Sequence, residues 1–181
     1  FDYDVMIAGS DQIWNSNITR GLSGAYFLNF GNKEIKRISY AASIGKDNFE
    51  PEEKLKVQSY LKNFDYISVR EEKLKHEVEE LTTKEVDLVL DPTLLLDKEK
   101  YDKIKKDVKI KEDYIFVHNV HLSKIDERLN AIVEEVSKRT GLSVINNRAD
   151  YNFSNEIGKF AEGGPEEFLG IIAGAKMVIT N

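Results

Sequence analysis

Gly9-Ser-Asp-Gln-Ile-Trp-Asn15 gathers a hydroxyl, a carboxylate, carboxamides and an indole directly after the apolar run Val5-Met-Ile-Ala8. That run is too short for a membrane helix and reads as a buried strand of a parallel sheet emptying into a polar loop. In open α/β sheets ligands sit beyond the carboxyl ends of the strands, and Gly9 lets the backbone turn or approach a ligand where a Cβ would clash. Ser10, Asp11, Trp14 and Asn15 are therefore candidate contacts to a sugar or small polar substrate, with Trp14 able to stack on a sugar face. The same residue types also describe a turn in which Asp11 and Asn15 cap backbone amides and Trp14 fills the core.

Other positions carry comparable chemistry. Arg70 ends the strand pattern Tyr66-Ile-Ser-Val69, where a guanidinium fork matches a carboxylate or phosphate bidentately; the plain alternative is a salt bridge to Glu71, Glu72 or a nearby loop. Tyr40 and Ser43 close another strand pattern, and alternation turns at least one of them inward. Gly163-Gly-Pro165 opens a helix whose free amides make Gly164 a candidate anion contact, although Glu166 and Glu167 can satisfy that helix end themselves. His118 is a candidate hydrogen-bonder in a strand exit loop. With His121 as its one neighbour of the kind, no third ligand stands at useful spacing, so no metal is expected. Thr180 and Asn181 end the last strand and should approach the site. Asp91 precedes a proline, a place where aspartate more often binds turn amides than acts as a catalytic carboxylate. The glycine-rich dinucleotide fingerprint, the P-loop and the nucleophile elbow are all missing, so nicotinamide, ATP and serine-hydrolase chemistry lack their signatures, and no cofactor is expected.

Six short motifs occur in order: Gly9-Ser-Asp-Gln-Ile-Trp-Asn15, Tyr26-Phe-Leu-Asn-Phe30, Arg37-Ile-Ser-Tyr-Ala-Ala-Ser43, Ile67-Ser-Val-Arg-Glu71, Leu90-Asp-Pro-Thr-Leu-Leu95 and Gly164-Pro-Glu-Glu-Phe168. Together they resemble the polysaccharide pyruvyl transferase family over nearly the whole chain. The resemblance implies transfer of a pyruvyl group from phosphoenolpyruvate, the donor substrate, to hydroxyls of a saccharide or lipid-linked saccharide as a ketal. It also implies a bacterial, cytoplasmic enzyme of cell-surface polysaccharide synthesis, free in solution or peripheral to the inner membrane face. Asp11 is the visible candidate for orienting the acceptor hydroxyls, because the histidine of the family's Ser-Phe-His-Gly-type segment would lie past Asn181. Two alternatives share the same features: a GT-B glycosyltransferase using a nucleotide-sugar, and a non-catalytic saccharide-binding module.

The elements that must position these groups follow from periodicity. Strand patterns are expected at residues 26–30, 36–44, 66–69, 86–90, 114–117, 142–145 and 177–179, after the opening strand. Helices are expected from Pro51 through Phe64, from Glu71 to Leu81, from a Ser123/Asp126 cap to Gly141, and from Gly164 to about Ala173. Residues 146–162 read as irregular. Strand and helix alternate twice, with a break after Asp91-Pro92, which points to an α/β fold of two Rossmann-like parallel-sheet domains. The resemblance implies the GT-B-like version of that plan, with the cleft between the carboxyl edges of the two sheets. The expected boundaries are residues 1–96 for the first domain, 97–112 for a lysine-rich linker or helix and 113–181 for the second. Both domains read as incomplete, the chain being an internal piece of a longer protein.

Composition narrows the classes further. The 181 residues are 41% hydrophobic and 32% charged, an ordinary globular balance. No apolar run reaches transmembrane length, and no signal peptide opens the chain. A formal charge of −6 argues against a nucleic-acid partner. The absence of cysteine removes disulfides and thiolate catalysis and fits a reducing compartment.

Overall fold

A computed structural model describes residues 3–120, 126–160 and 163–181. The chain divides into two compact units, residues 1–96 and 97–181. Each is an α/β unit built on a four-stranded, wholly parallel sheet.

In the first unit the strands are β1 (Val5–Ala8), β2 (Lys36–Ala42), β3 (Tyr66–Val69) and β4 (Val86–Leu88), paired in that order. Helices α1 (Pro51–Leu61) and α2 (Glu72–Leu81) follow β2 and β3. Proline at the first turn of α1 needs no amide partner, and the Glu53 carboxylate accepts from the Glu50 N–H at 3.0 Å, which fixes where that helix begins. Val57 and Leu61 of α1 and Leu74 and Val78 of α2 are buried against Ile67, Val69 and Val86 of the sheet. Trp14, Phe27 and Phe64 complete this core.

One irregularity in β2 matters for the site. The register slips between Ser39 and Ala42, and the buried Ala41 takes a left-handed φ of 55°. A reciprocal serine pair locks this bulge. Ser39 Oγ donates to the Ser68 carbonyl at 3.1 Å, Ser68 Oγ donates to the Ser39 carbonyl at 2.8 Å, and the Ser68 hydroxyl also accepts from the Ala41 N–H. Bulges beside sites commonly re-aim a side chain; this one brings the Ala42 carbonyl to the Arg70 N–H at 3.3 Å and turns Ser43 toward α2.

Residues 26–30 correct the expected strand. They form a tight turn, with Phe27 N–H donating to Gly24 and Leu28 N–H to Ala25, and Leu28 at a φ of 51°. The apolar alternation arises because Phe27 and Leu28 sink into the core while Tyr26 and Phe30 stay exposed. The buried Arg37 guanidinium pins the following loop by donating to the carbonyls of Leu28, Phe30, Asn32 and Ile35.

A 3-10 turn at Pro92–Leu95 leads to the second unit. There α3 (Lys98–Ile104), β5 (Tyr114–His118), α4 (Glu127–Thr140), β6 (Ser143–Asn146), β7 (Glu156–Lys159), α5 (Pro165–Gly174) and β8 (Met177–Thr180) follow, with the sheet ordered β7-β6-β5-β8. Leu129 and Val133 of α4 cover one face with Ile115, Val117 and Val144; Ile171 of α5 covers the other with Tyr114, Phe116 and Ile145. Asp126 caps α4 through the Leu129 N–H, and Gly141 ends it at a φ of 72°, the left-handed stop that glycine takes without a Cβ penalty. Strand β7 lies within the stretch read as irregular, so that reading is corrected: Glu156-Ile-Gly-Lys159 has one apolar side chain and no alternation to signal an edge strand. Ser123 and His121 lie outside the described residues.

Candidate functional site

The carboxyl ends of the first sheet converge on Arg70. Its Nη1 donates to Asp91 Oδ2 at 2.7 Å and to Ser10 Oγ at 3.0 Å, and its Nε donates to Glu71 Oε1 at 3.2 Å. Ser10 in turn donates to Asp91 Oδ2 at 2.6 Å, and Ser43 Oγ donates to Glu71 Oε1 at 2.6 Å. Residues from four separated sequence motifs therefore form one hydrogen-bonded group. Three of the five guanidinium N–H bonds are committed to it, and those of Nη2 make no hydrogen bond among the described residues. Asp11 Oδ1 lies 3.9 Å from Nη2.

Asp11 is held in an unusual way. Its backbone is left-handed, with a φ of 84°, and its side chain is 85% exposed. A β-bridge to Ala42, the Ser43 N–H on its carbonyl and the Gln12 N–H on its own Oδ1 keep it there. Such a backbone costs on the order of 1–3 kcal/mol and persists where the surroundings over-determine it, often at functional sites. Gly45 supports the same loop from beside it. At a φ of 58°, a Cβ there would fall 2.0 Å from the Gln12 side chain.

The three carboxylates around Arg70 differ in what they can do. Asp91 is saturated: Oδ2 takes Ser10 and Arg70, and Oδ1 takes the Thr93 N–H and hydroxyl. The Ser10 hydroxyl first, then the Thr93 donors and the Arg70 guanidinium, hold its carboxyl well below the usual carboxylate range. It is a structural anion and a poor base. Because the folded state depresses this pKa, its stabilisation is present above the unfolded carboxylate value of roughly 3.9 and is lost as the pH falls through and below it. Asp91→Asn should therefore lower stability by about 1–3 kcal/mol at pH 7. Urea unfolding should show that gap narrowing from about pH 5 downward; a gap independent of pH would contradict the assignment. Glu71, at the N-cap position of α2 with no side-chain capping bond, has Oε1 engaged by Ser43 and Arg70, while its buried Oε2 has no hydrogen-bond partner among the described residues.

Several sequence candidates take other places. Trp14 is fully buried, stacked on Phe27 with ring centres 4.9 Å apart and edge-on to Phe64 at 6.0 Å, so the expectation that it stacks on a sugar is corrected: it is core. Asn15 is also buried, its amide donating to Gln12 and accepting from the Asn17 N–H, which is a turn-capping role. Tyr40 is half-buried on β2, and Ser43 is the inward-facing member of that pair. The Gly164 N–H already donates to Glu167 Oε2 at 3.0 Å, and Lys106 neutralises Glu167 at 2.6 Å and Glu166 at 3.4 Å. The anion position at the start of α5 is thus filled by the chain's own carboxylates.

In the second unit the carboxyl ends of β5 and β8 carry neutral groups. His118 is partly buried against Phe168 and Phe116, with ring centres at 5.0 and 6.0 Å. Burial pushes its pKa down. Its Nδ1 lies 3.1 Å from Asn147 Nδ2. Asn181 Oδ1 accepts the Val120 N–H at 2.9 Å, and Thr180 pairs in register with His118.

A family model described as polysaccharide pyruvyl transferase matches residues 2–181. The chain belongs to the polysaccharide pyruvyl transferase family. No curated protein and no individual solved structure matches it. The family name implies a transferase acting on a saccharide. Among the described residues no helix is long and apolar enough to cross a membrane. Within this transferase-family chain, sequence reasoning passed over Glu71, taken as a salt-bridge partner, and Asp91, taken as a turn cap. It missed Asn147 altogether. The signal for Glu71 was its place in the motif that supplies Arg70, and for Asp91 its place in the motif Leu90-Asp-Pro-Thr-Leu-Leu95; for Asn147 there was none.

Proposed function

We propose that the chain carries the transfer of a pyruvyl group from phosphoenolpyruvate to two hydroxyls of a saccharide, giving a ketal and inorganic phosphate. The family match along nearly the whole chain carries this reading. The convergence of Ser10, Ser43, Arg70 and Asp91 at one sheet edge supports it. The GT-B-like pairing of two Rossmann-like domains, the division at residues 96 and 113, and a cytoplasmic place of action belong to the same proposal.

The chemistry sets definite demands. One acceptor hydroxyl adds to C2 of the enol while C3 takes a proton, and the second hydroxyl displaces phosphate from the same carbon. Both hydroxyl protons must leave, one balanced by the methyl group formed and one by the departing phosphate. The donor carries a carboxylate beside a phosphate, so a fixed cation has to meet it. Arg70 offers the two N–H bonds of Nη2 for this while Asp91, Ser10 and Glu71 hold the rest of the guanidinium. Asp11, exposed and beside that edge, orients the acceptor hydroxyls as a hydrogen-bond acceptor.

Asp11 has two opposed effects in this reading, which makes it a sharp test. Its charge repels an anionic donor at Nη2, and its oxygens hold the acceptor. Asp11→Asn should lower the KM for phosphoenolpyruvate and lower kcat by about tenfold, as expected for the loss of a charge-assisted hydrogen bond. Asp11→Gly should also lose turnover, but it relieves the left-handed backbone and so should fold at least as stably. Unchanged kcat in both variants, with phosphate release from phosphoenolpyruvate as the assay, would remove Asp11 from the mechanism.

A further inference from the structure

We propose that Asn147 is a positioning residue that holds His118 as a neutral imidazole with its proton on Nε2, presenting that N–H to a hydroxyl oxygen of the ligand at the carboxyl ends of β5 and β8.

The place follows from topology. From β5 the chain moves outward to β6 and β7, then returns to the other side of β5 as β8. Strands β5 and β8 therefore flank the point where the strand order reverses, and ligands of open parallel sheets bind outside the carboxyl ends at such a point. His118 and Thr180 are the registered pair at that end, and Asn181 follows.

The tautomer follows from hydrogen bonding. The Asn147 amide is oriented by two groups whose roles admit no choice: the Asn119 N–H donates to Asn147 Oδ1 at 2.8 Å, and Asn147 Nδ2 donates to the Asn119 carbonyl at 3.0 Å. With the amide fixed, its second N–H points along the 3.1 Å contact to His118 Nδ1. That nitrogen must offer a lone pair, so the proton sits on Nε2. An imidazolium would set N–H against N–H, and the burial that lowers the His118 pKa acts in the same direction. Phe168 and Phe116 hold the ring, and Nε2 makes no hydrogen bond among the described residues. The groups gathered at this end, His118, Asn119, Asn147, Thr180 and Asn181, are uncharged, which suits a hydroxyl-bearing ligand better than a multiply charged anion.

The saccharide role rests on the transferase reading; the tautomer does not, and it can be measured without any activity. Histidine 15N and 13C chemical shifts of the protein should place the His118 proton on Nε2 near pH 7. Asn147→Ser keeps a donor for Nδ1 and should preserve that state. Asn147→Asp offers an acceptor alone and should draw a proton onto Nδ1. With phosphate release as readout, Asn147→Asp should lower kcat/KM by about tenfold or more, while Asn147→Ser stays within a few-fold. A wild-type proton on Nδ1, or an unchanged tautomer in Asn147→Asp, overturns the lock even in a protein with no transferase activity. A moved proton with unchanged kcat/KM in an active enzyme overturns the contact to ligand.

Discussion

Replacing Arg70 by lysine should reduce kcat/KM for phosphoenolpyruvate by at least about a hundredfold while leaving the fold intact, the scale typical of losing one preorganised donor to a reacting anion. The charge is kept, so the expected loss isolates geometry. Arg70 uses Nη1 and Nε to bind Asp91, Ser10 and Glu71, and has Nη2 left over. A lysine ammonium can replace one of these contacts at a time, and whichever it satisfies leaves the donor or the carboxylates unmet. The group is partly exposed, so the stability cost should stay modest, and circular dichroism with a melting curve checks that the variant is folded. Activity within a few-fold of wild type would mean that Arg70 is a structural salt bridge and no more.

The largest effect on stability is expected at Trp14. Trp14→Ala should destabilise the first unit by about 3–5 kcal/mol. The fully buried ring packs on Phe27 and Phe64, and its Nε1 donates to the Tyr26 carbonyl at 3.1 Å, so truncation opens a cavity and orphans an acceptor together. A domain with the usual 5–15 kcal/mol of stability would be brought close to unfolding. Denaturant unfolding followed by circular dichroism measures this. Because Trp14 is the chain's single tryptophan, the wild-type fluorescence should independently report an apolar environment. A loss below about 1 kcal/mol would be incompatible with a core position.

These two residues mark what the sequence could and could not reveal. Arg70 was legible because Tyr66-Ile-Ser-Val69 is a continuous strand signal, and the residue after it has to stand at the sheet's carboxyl edge. Its partner Asp91 stands 21 residues further along and 81 from Ser10, distances at which periodicity carries no information. The proline after Asp91 announced a turn, and that reading was half of the matter: Oδ1 does cap Thr93, but Oδ2 belongs to the site. Trp14 illustrates the converse. An aromatic residue among polar neighbours suits a sugar platform or a core plug equally, and only the packing of Phe27 and Phe64, distant in sequence, decides between them. At residues 26–30 the alternating pattern came from a turn rather than a strand, while β7 escaped notice because an edge strand with one apolar residue needs no pattern.

The edge around Arg70 is charged, whereas the ends of β5 and β8 carry neutral groups. Around Arg70, Asp11, Glu71 and Asp91 outnumber the single guanidinium, so a donor bound there must be met through Nη2 against local negative charge. That competition is why the Asp11→Asn variant is expected to tighten donor binding even as it slows turnover. At His118 the amides and a neutral imidazole instead offer hydrogen bonds without charge.

The most direct measurement is thermal unfolding of the full-length protein with phosphoenolpyruvate, UDP, a UDP-sugar and NAD in parallel. A ligand that binds the folded state alone, at about one hundred times its dissociation constant, adds roughly 2.7 kcal/mol, which appears as a rise in melting temperature. Stabilisation by phosphoenolpyruvate, abolished by Arg70→Lys and not matched by the nucleotides, is the expected result. Stabilisation by UDP or a UDP-sugar with no response to phosphoenolpyruvate would contradict the pyruvyl donor and leave a nucleotide-sugar enzyme in its place.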